Sequence, residues 1–177
     1  IANHEEHDLN YTITRFFGSY GPNQNLTWWG GPQSVFIEKA IKNEPIELHG
    51  DGSQTRTFTY VEDTVNALVL CVENEKSNNE IFNTGSKTNA EISIRDLAIL
   101  IWRLINGEDS EPKLNLIPYS NFGNYEDVMR RVPDISKICS LLDFKPSWEL
   151  EEGLKVAIEW QKQFYEESRN VDFIWQK

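Results

Sequence analysis

Apolar residues recur along this chain with two periods, and the switches between them lay out its elements. Tyr11 to Phe17 is aromatic or β-branched at most positions, which predicts a strand. Gln33 to Lys42 changes to helical spacing, with Phe36, Ile37, Ala40 and Ile41 on one side. Ile46 to His49 and Thr57 to Tyr60 read as short strands flanking a glycine-rich turn. Val61, Val65, Leu68, Val69 and Val72 then mark the apolar stripe of a helix, with Asp63 in the first turn, where the helix dipole favours a carboxylate. Glu80 to Asn83 returns as a strand. Ser93 followed by Asp96 forms a capping box, and Ile94, Leu97, Ala98, Ile101 and Leu104 predict the buried stripe of the helix it opens. Lys113 to Pro118 is a strand; Ile135 to Leu142 and Glu149 to Tyr165 are helices. Strands alternating with helices imply an α/β architecture. Asn74 to Asn79 and Asn106 to Pro112 read as polar loops, and no internal repeat or low-complexity linker interrupts the order.

Composition narrows the function classes. A chain of 177 residues can bury a substantial core, as one domain with or without a small lobe. Its net charge of −11 argues against nonspecific nucleic-acid binding, although a phosphate ligand depends on local arginines and not on the mean. No apolar run reaches the length of a membrane span, and Ile1 to Asn10 is too polar and acidic for a signal peptide. Cys71 and Cys139 sit among apolar neighbours and are expected to be reduced, buried thiols, which fits a cytoplasmic protein. His4 and His7 bracket two glutamates without the spacing of a zinc site, so a solvated helix end is expected there and no metal.

The densest chemistry lies in Gly50-Asp51-Gly52-Ser53-Gln54-Thr55-Arg56-Thr57-Phe58-Thr59-Tyr60-Val61-Glu62-Asp63. Two close glycines permit a tight turn and close approach to a ligand. Arg56 stands beside the turn as a planar, permanently charged fork suited to phosphate. In isolation the same segment also reads as a glycine-rich hairpin with a surface arginine.

Three further segments accompany it: Tyr11-Thr12-Ile13-Thr14-Arg15-Phe16-Phe17-Gly18-Ser19-Tyr20-Gly21-Pro22, Ile81-Phe82-Asn83-Thr84-Gly85, and Arg130-Arg131-Val132-Pro133-Asp134-Ile135-Ser136-Lys137. In this order and spacing the four segments, over roughly residues 11 to 162, resemble the C-terminal half of an extended short-chain dehydrogenase/reductase, in particular the NAD-dependent nucleotide-sugar epimerases, dehydratases and decarboxylases. The resemblance implies an α/β fold, the C-terminal part of a Rossmann-type protein with its small substrate-binding lobe, spanning residues 1–177. It further implies isomerase or lyase chemistry through a 4-keto sugar, NAD as cofactor, a nucleotide-sugar substrate (a UDP-sugar foremost) and a homodimer in the complete protein.

Site residues carry over by resemblance. Arg56 would hold the substrate diphosphate, and Arg131, in the R-x-x-D pattern with Asp134, would contact the same phosphates or the sugar. Asp134 would accept from the ribose; as the residue before Ile135 it is equally a helix N-cap, and both roles can hold. Arg130 is expected to be a solvated neighbour or a supporting charge. His49 occupies the place of an aromatic residue that lies against the base, or is an exposed strand end. Asn83 is either a polar contact to the substrate or a structural turn residue. Of Phe16 and Phe17, one is expected in the core and the other along the nicotinamide pocket. Tyr125 precedes the arginine pair much as in uronic-acid decarboxylases.

Departures from the family pattern are equally informative. Neither the glycine-rich dinucleotide turn nor a Tyr-x-x-x-Lys helix occurs; Tyr11, Tyr20, Tyr60, Tyr119, Tyr125 and Tyr165 all lack a lysine four positions on. By resemblance the catalytic helix would end near Asn3–His7, so the catalytic residues are expected upstream of Ile1 and the chain alone is expected to be inactive. Gly18 replaces the family's asparagine, which removes an amide and is expected to widen the space there. Trp28 and Trp29, before Gly30-Gly31-Pro32, are expected to cap the sugar pocket or to anchor a partner. The alternative to a substrate-binding half is a non-catalytic relative that keeps the fold for ligand or partner binding.

Overall fold

The computed structural model describes residues 6–122 and 127–170. In chain order its elements are β1 (Thr12–Phe16), β2 (Ser19–Tyr20), α1 (Pro32–Ile41), β3 (Ile46–His49), β4 (Thr55–Arg56), β5 (Thr59–Tyr60), α2 (Val61–Glu73), β6 (Glu80–Thr84), β7 (Ile92–Ser93), α3 (Ile94–Asn106), β8 (Leu114–Ile117), β9 (Arg130–Arg131), α4 (Ser136–Leu142) and α5 (Leu150–Asn170). The chain forms two compact units. The first joins Ile1–Ser19, Gln54–Ile92 and Val128–Leu150; the second joins Tyr20–Ser53, Ser93–Asp127 and Glu151–Lys177. Among the described residues no helix is long and apolar enough to cross a membrane.

In the first unit β1 and β6 pair in parallel, from Thr12 opposite Glu80 to Phe16 opposite Thr84. Parallel neighbours need a crossover, and α2 lies on the connection. The core gathers Ala67 and Cys71 from α2, Phe82 from β6, and Ile135, Ile138, Leu142 and Phe144 around α4. Cys71 and Cys139 are free thiols; the first is buried, the second is half-buried, and burial pushes both above the ordinary thiol range.

Two expectations are corrected in this unit. The α2 stripe exists as a periodicity but faces outward: Val65, Leu68, Val69 and Val72 are 49, 37, 44 and 86% exposed. The buried side is Asp63, Thr64, Ala67 and Cys71, small groups and one carboxylate that let the helix lie close to its neighbours. Asp63 is 1% exposed and is satisfied there: it accepts from the Ser147 N–H at 3.0 Å, the Ser147 hydroxyl at 3.0 Å and the Trp148 N–H at 3.1 Å. The Trp148 ring lies 4.1 Å from that of Tyr60, centroid to centroid. Neither Phe16 nor Phe17 joins the core. Phe16, the last residue of β1, is 53% exposed, and Phe17 is half-buried.

The second unit pairs β3 with β8 in parallel, Ile46 opposite Leu114 and His49 opposite Ile117. Phe36, Ile37, Leu48, Leu97, Ile101 and Trp102 are all 2% exposed or less. The expected capping box forms at α3: the Asp96 N–H donates to the Ser93 hydroxyl at 2.9 Å, and that hydroxyl donates back to the Asp96 carboxylate at 2.7 Å. Of the predicted α3 stripe Leu104 is only half-buried, and Trp102, absent from the stripe, takes the central place. The α5 helix buries Leu154, Ala157 and Ile158, and its buried Gln161 donates to the Ser34 carbonyl of α1 at 2.9 Å. Of the strand expected over Thr57 to Tyr60 only Thr59–Tyr60 is paired, and a further segment, Thr55–Arg56, lies ahead of the expected range.

Candidate functional site

Thr55 and Arg56 form β4, and Arg130 and Arg131 form β9. The two strands run parallel with Thr55 opposite Arg130 and Arg56 opposite Arg131, and the Thr55 N–H donates to the Met129 carbonyl at 2.7 Å. Side chains alternate between the faces of a strand, so Arg56 and Arg131 share one face while Thr55 and Arg130 share the other. The second face is filled by Glu91. Its carboxylate takes a fork from Arg130, with Nε at 3.0 Å and Nη2 at 2.9 Å, and also accepts from the Thr55 hydroxyl at 2.5 Å. Arg130, and secondarily Thr55, hold the Glu91 carboxyl below its ordinary range. Arg130 thus pairs with Glu91 while its side chain stays 60% exposed.

On the first face Arg56 is half-buried, and its Nη1 donates to the Thr55 carbonyl at 2.8 Å. Arg131 is exposed, and no carboxylate among the described residues forms an ion pair with it. Neighbouring strands are about 4.8 Å apart, and like charges directly opposite one another destabilise a sheet.

Asp134 follows on the loop from β9 to α4. It is exposed, and its Oδ1 accepts the Ser136 N–H at 2.9 Å. Hydrogen bonds from Ser136, its side chain foremost and then its N–H, lower the Asp134 pKa. The expected cap is corrected by one position: Ile135 is the N-cap of α4, and Asp134 precedes it, holding the first helical N–H across a local turn. Asn83 lies in β6 and not in a turn, and its amide donates to the Asp134 carbonyl at 3.2 Å. The Phe17 N–H donates to the Thr84 carbonyl at 3.1 Å, one residue beyond Asn83. The first unit therefore brings Arg56, Arg131, Asp134, Asn83 and Phe17 into one connected set from three separate segments.

Gly18 is also in this unit, with φ +59°. A Cβ there would lie 2.4 Å from the Thr57 carbonyl oxygen, and the Thr59 N–H donates to the Gly18 carbonyl at 3.0 Å. The expected widening does not occur: the Thr57–Phe58 backbone fills the room the side chain would need.

His49 belongs to the second unit, at the end of β3. Its ring lies 5.4 Å from that of Trp28, tilted by 38°, and Trp28 in turn meets Phe36 edge-on at 6.3 Å. Trp28 begins a short 3-10 turn capped by Thr27, while its neighbour Trp29 is 94% exposed. Gly50, beyond His49, has φ +69°, and a Cβ there would meet Tyr119 at 2.4 Å. The close approach that Gly50 permits is thus to the protein's own Tyr119. Tyr125 lies outside the described residues.

The parallel α/β fold is one that the comparisons with known proteins identify. Residues 1–157 match the model of the GDP-mannose 4,6 dehydratase family. The chain belongs to that family, within the Rossmann-type nucleotide-sugar epimerases, dehydratases and decarboxylases. It is 36% identical over 154 residues to a UDP-N-acetyl-alpha-D-glucosaminuronate decarboxylase of Bacillus cytotoxicus, an alignment covering 86% of this chain and 46% of the relative. The solved UDP-glucuronic acid 4-epimerase of Bacillus cereus, in complex with UDP-glucuronic acid and NAD, superposes with a TM-score of 0.81 at 27% identity, covering 93% of this chain and 49% of that one. The UDP-glucose 4-epimerase of Thermotoga maritima with UDP-glucose gives 0.78 at 31% identity, with 92% and 49% covered. The chain spans about half the length of the relatives it matches.

Glu91 is the residue that sequence reasoning did not place. Glu91 carries no motif of its own; only the pairing of two dipeptide strands from distant segments shows what its carboxylate holds.

Proposed function

We propose that residues 1–177 are the substrate-binding part of an NAD-dependent nucleotide-sugar epimerase, dehydratase or decarboxylase acting through a 4-keto sugar. The observation that carries this reading is the register of Arg56 with Arg131. Two permanent cations at strand spacing repel one another, and a diphosphate lying across them turns that repulsion into two charge-assisted forks. Asp134 is assigned to the ribose: one carboxylate oxygen accepts the Ser136 N–H, and the group is exposed. His49, against Trp28, is assigned to the side of the base, and Asn83 and Tyr125 to the sugar-nucleotide.

NAD supplies reversible hydride transfer in this chemistry and is assigned mainly to polypeptide outside this sequence. From this chain the half-exposed Phe16, beside Phe17, offers an apolar edge to the nicotinamide side. The residues described here bind and orient, and anchoring remote from the reacting carbon lowers the barrier by positioning it. UDP-sugars are the preferred ligands, because relatives named for UDP-sugars recur among those it resembles. A homodimeric, cytoplasmic complete protein belongs to the same reading.

The test is calorimetric titration of the full-length protein with UDP, dTDP and GDP. Saturable binding, strongest for UDP, is expected. Absence of binding by all three nucleoside diphosphates overturns the proposal.

A further inference from the structure

β4 and β9 are only two residues long, so few backbone bonds join them. The strands come from segments far apart in sequence, and side-chain contacts between them add to what aligns them. Glu91 makes such a contact, since it touches one residue of each strand at a single step of the register: Thr55 on β4 and Arg130 on β9.

We propose that Glu91 is the positioning residue of the phosphate-binding arginines, strapping β4 to β9 from the opposite face so that Arg56 and Arg131 reach one diphosphate together. This inference rests on the nucleotide-sugar reading given above. Two features make the strap directional. The fork from Arg130 uses Nε and Nη2 together, which fixes the plane of the guanidinium as well as its distance. Arg130 is also the immediate neighbour of Arg131, so fixing its guanidinium from the opposite face fixes the strand position from which Arg131 projects. Glu91 therefore sets the spacing of the two working cations. The Glu91 side chain is 26% exposed against 60% for Arg130, so the carboxylate is the better shielded end of the pair.

A strap that only held the fold would affect all ligands alike. One that spaces two arginines affects a diphosphate more than a monophosphate, because a single phosphate needs only one of them. The experiment is titration of the full-length protein with UDP and with UMP, for the wild type and for Glu91→Ala, Glu91→Gln and Arg130→Ala. Glu91→Ala is expected to weaken UDP by about five- to tenfold, the loss of one charge-assisted contact, with UMP changed by no more than about twofold. Arg130→Ala should reproduce the effect. Glu91→Gln keeps the acceptor for Thr55 and one for Arg130, so it should fall between, and it serves should Glu91→Ala fold poorly. The double exchange Glu91→Arg with Arg130→Glu should recover most of the preference for UDP over UMP.

The proposal is overturned if Glu91→Ala and Glu91→Gln keep that preference within about twofold of the wild type while Arg56→Ala loses it. In that event the arginine site stands and only the role of Glu91 falls. If Arg56→Ala also leaves UDP binding intact, the arginine site itself is refuted and the positioning role with it.

Discussion

Replacing Asp63 by alanine is expected to be among the most damaging single changes in the first unit. The carboxylate is 1% exposed and accepts from two backbone N–H groups, those of Ser147 and Trp148, and from the Ser147 hydroxyl. Removing it leaves two part-buried backbone donors, at an exposed Ser147 and a half-buried Trp148, without that acceptor, at about 1 kcal/mol each. It also removes a negative charge from the first turn of α2, worth about 0.3–1 kcal/mol. The sum is a loss on the order of 3 kcal/mol. Asp63→Asn keeps one acceptor oxygen but brings two donors with no acceptor waiting, so about half of that loss is expected. The assay is urea unfolding of the full-length protein and both variants, followed by tryptophan fluorescence, which Trp148 reports directly. If both variants stay within about 1 kcal/mol of the wild type, the Ser147–Trp148 loop is not held by this carboxylate and the reasoning fails.

Two further outcomes follow from the exposed face of α2 and from Gly18. The 177-residue chain on its own should associate through Val65, Leu68, Val69 and Val72, and Val72→Lys should reduce the apparent mass seen by light scattering; a monomeric wild-type chain with a sharp melt contradicts this. Gly18→Ala should cost about 1–3 kcal/mol, because it forces a Cβ both into a left-handed backbone and against the Thr57 carbonyl; an unchanged urea midpoint refutes the close approach.

The α/β order, the β3 strand and the α3 capping box were legible in the sequence because each depends on near neighbours. Ser93 and Asp96 meet across one turn, so a local pattern suffices. The orientation of α2 was not legible. Its strongest periodicity, Val65 to Val72, faces outward, while the buried side is set by Asp63, Thr64, Ala67 and Cys71 and by a loop 84 residues away. Hydrophobic spacing locates an apolar stripe but does not say what covers it.

The candidate site divides in the same way. Arg56 and Arg131 are conspicuous by type and motif, but their shared face depends on pairing between two dipeptides 75 residues apart. Glu91 sits in no motif at all, and its role exists only in the contacts it makes. Asp134 showed a nearer miss: the local signal for a helix start was present in the sequence, but the cap position falls on Ile135, one residue later.

The central claim is that Arg56 and Arg131 hold one diphosphate between them. Its most direct test is calorimetric titration of UDP and of NAD into the full-length protein, the variants Arg56→Ala and Arg131→Ala, and the double variant. Each single change is expected to weaken UDP by about 2 kcal/mol, roughly thirtyfold, with NAD affinity nearly unchanged. The double variant should lose less than the sum, because the ligand shifts once either arginine is gone. UDP affinity left intact in Arg56→Ala, or losses in the two variants that simply add, contradicts a shared clamp.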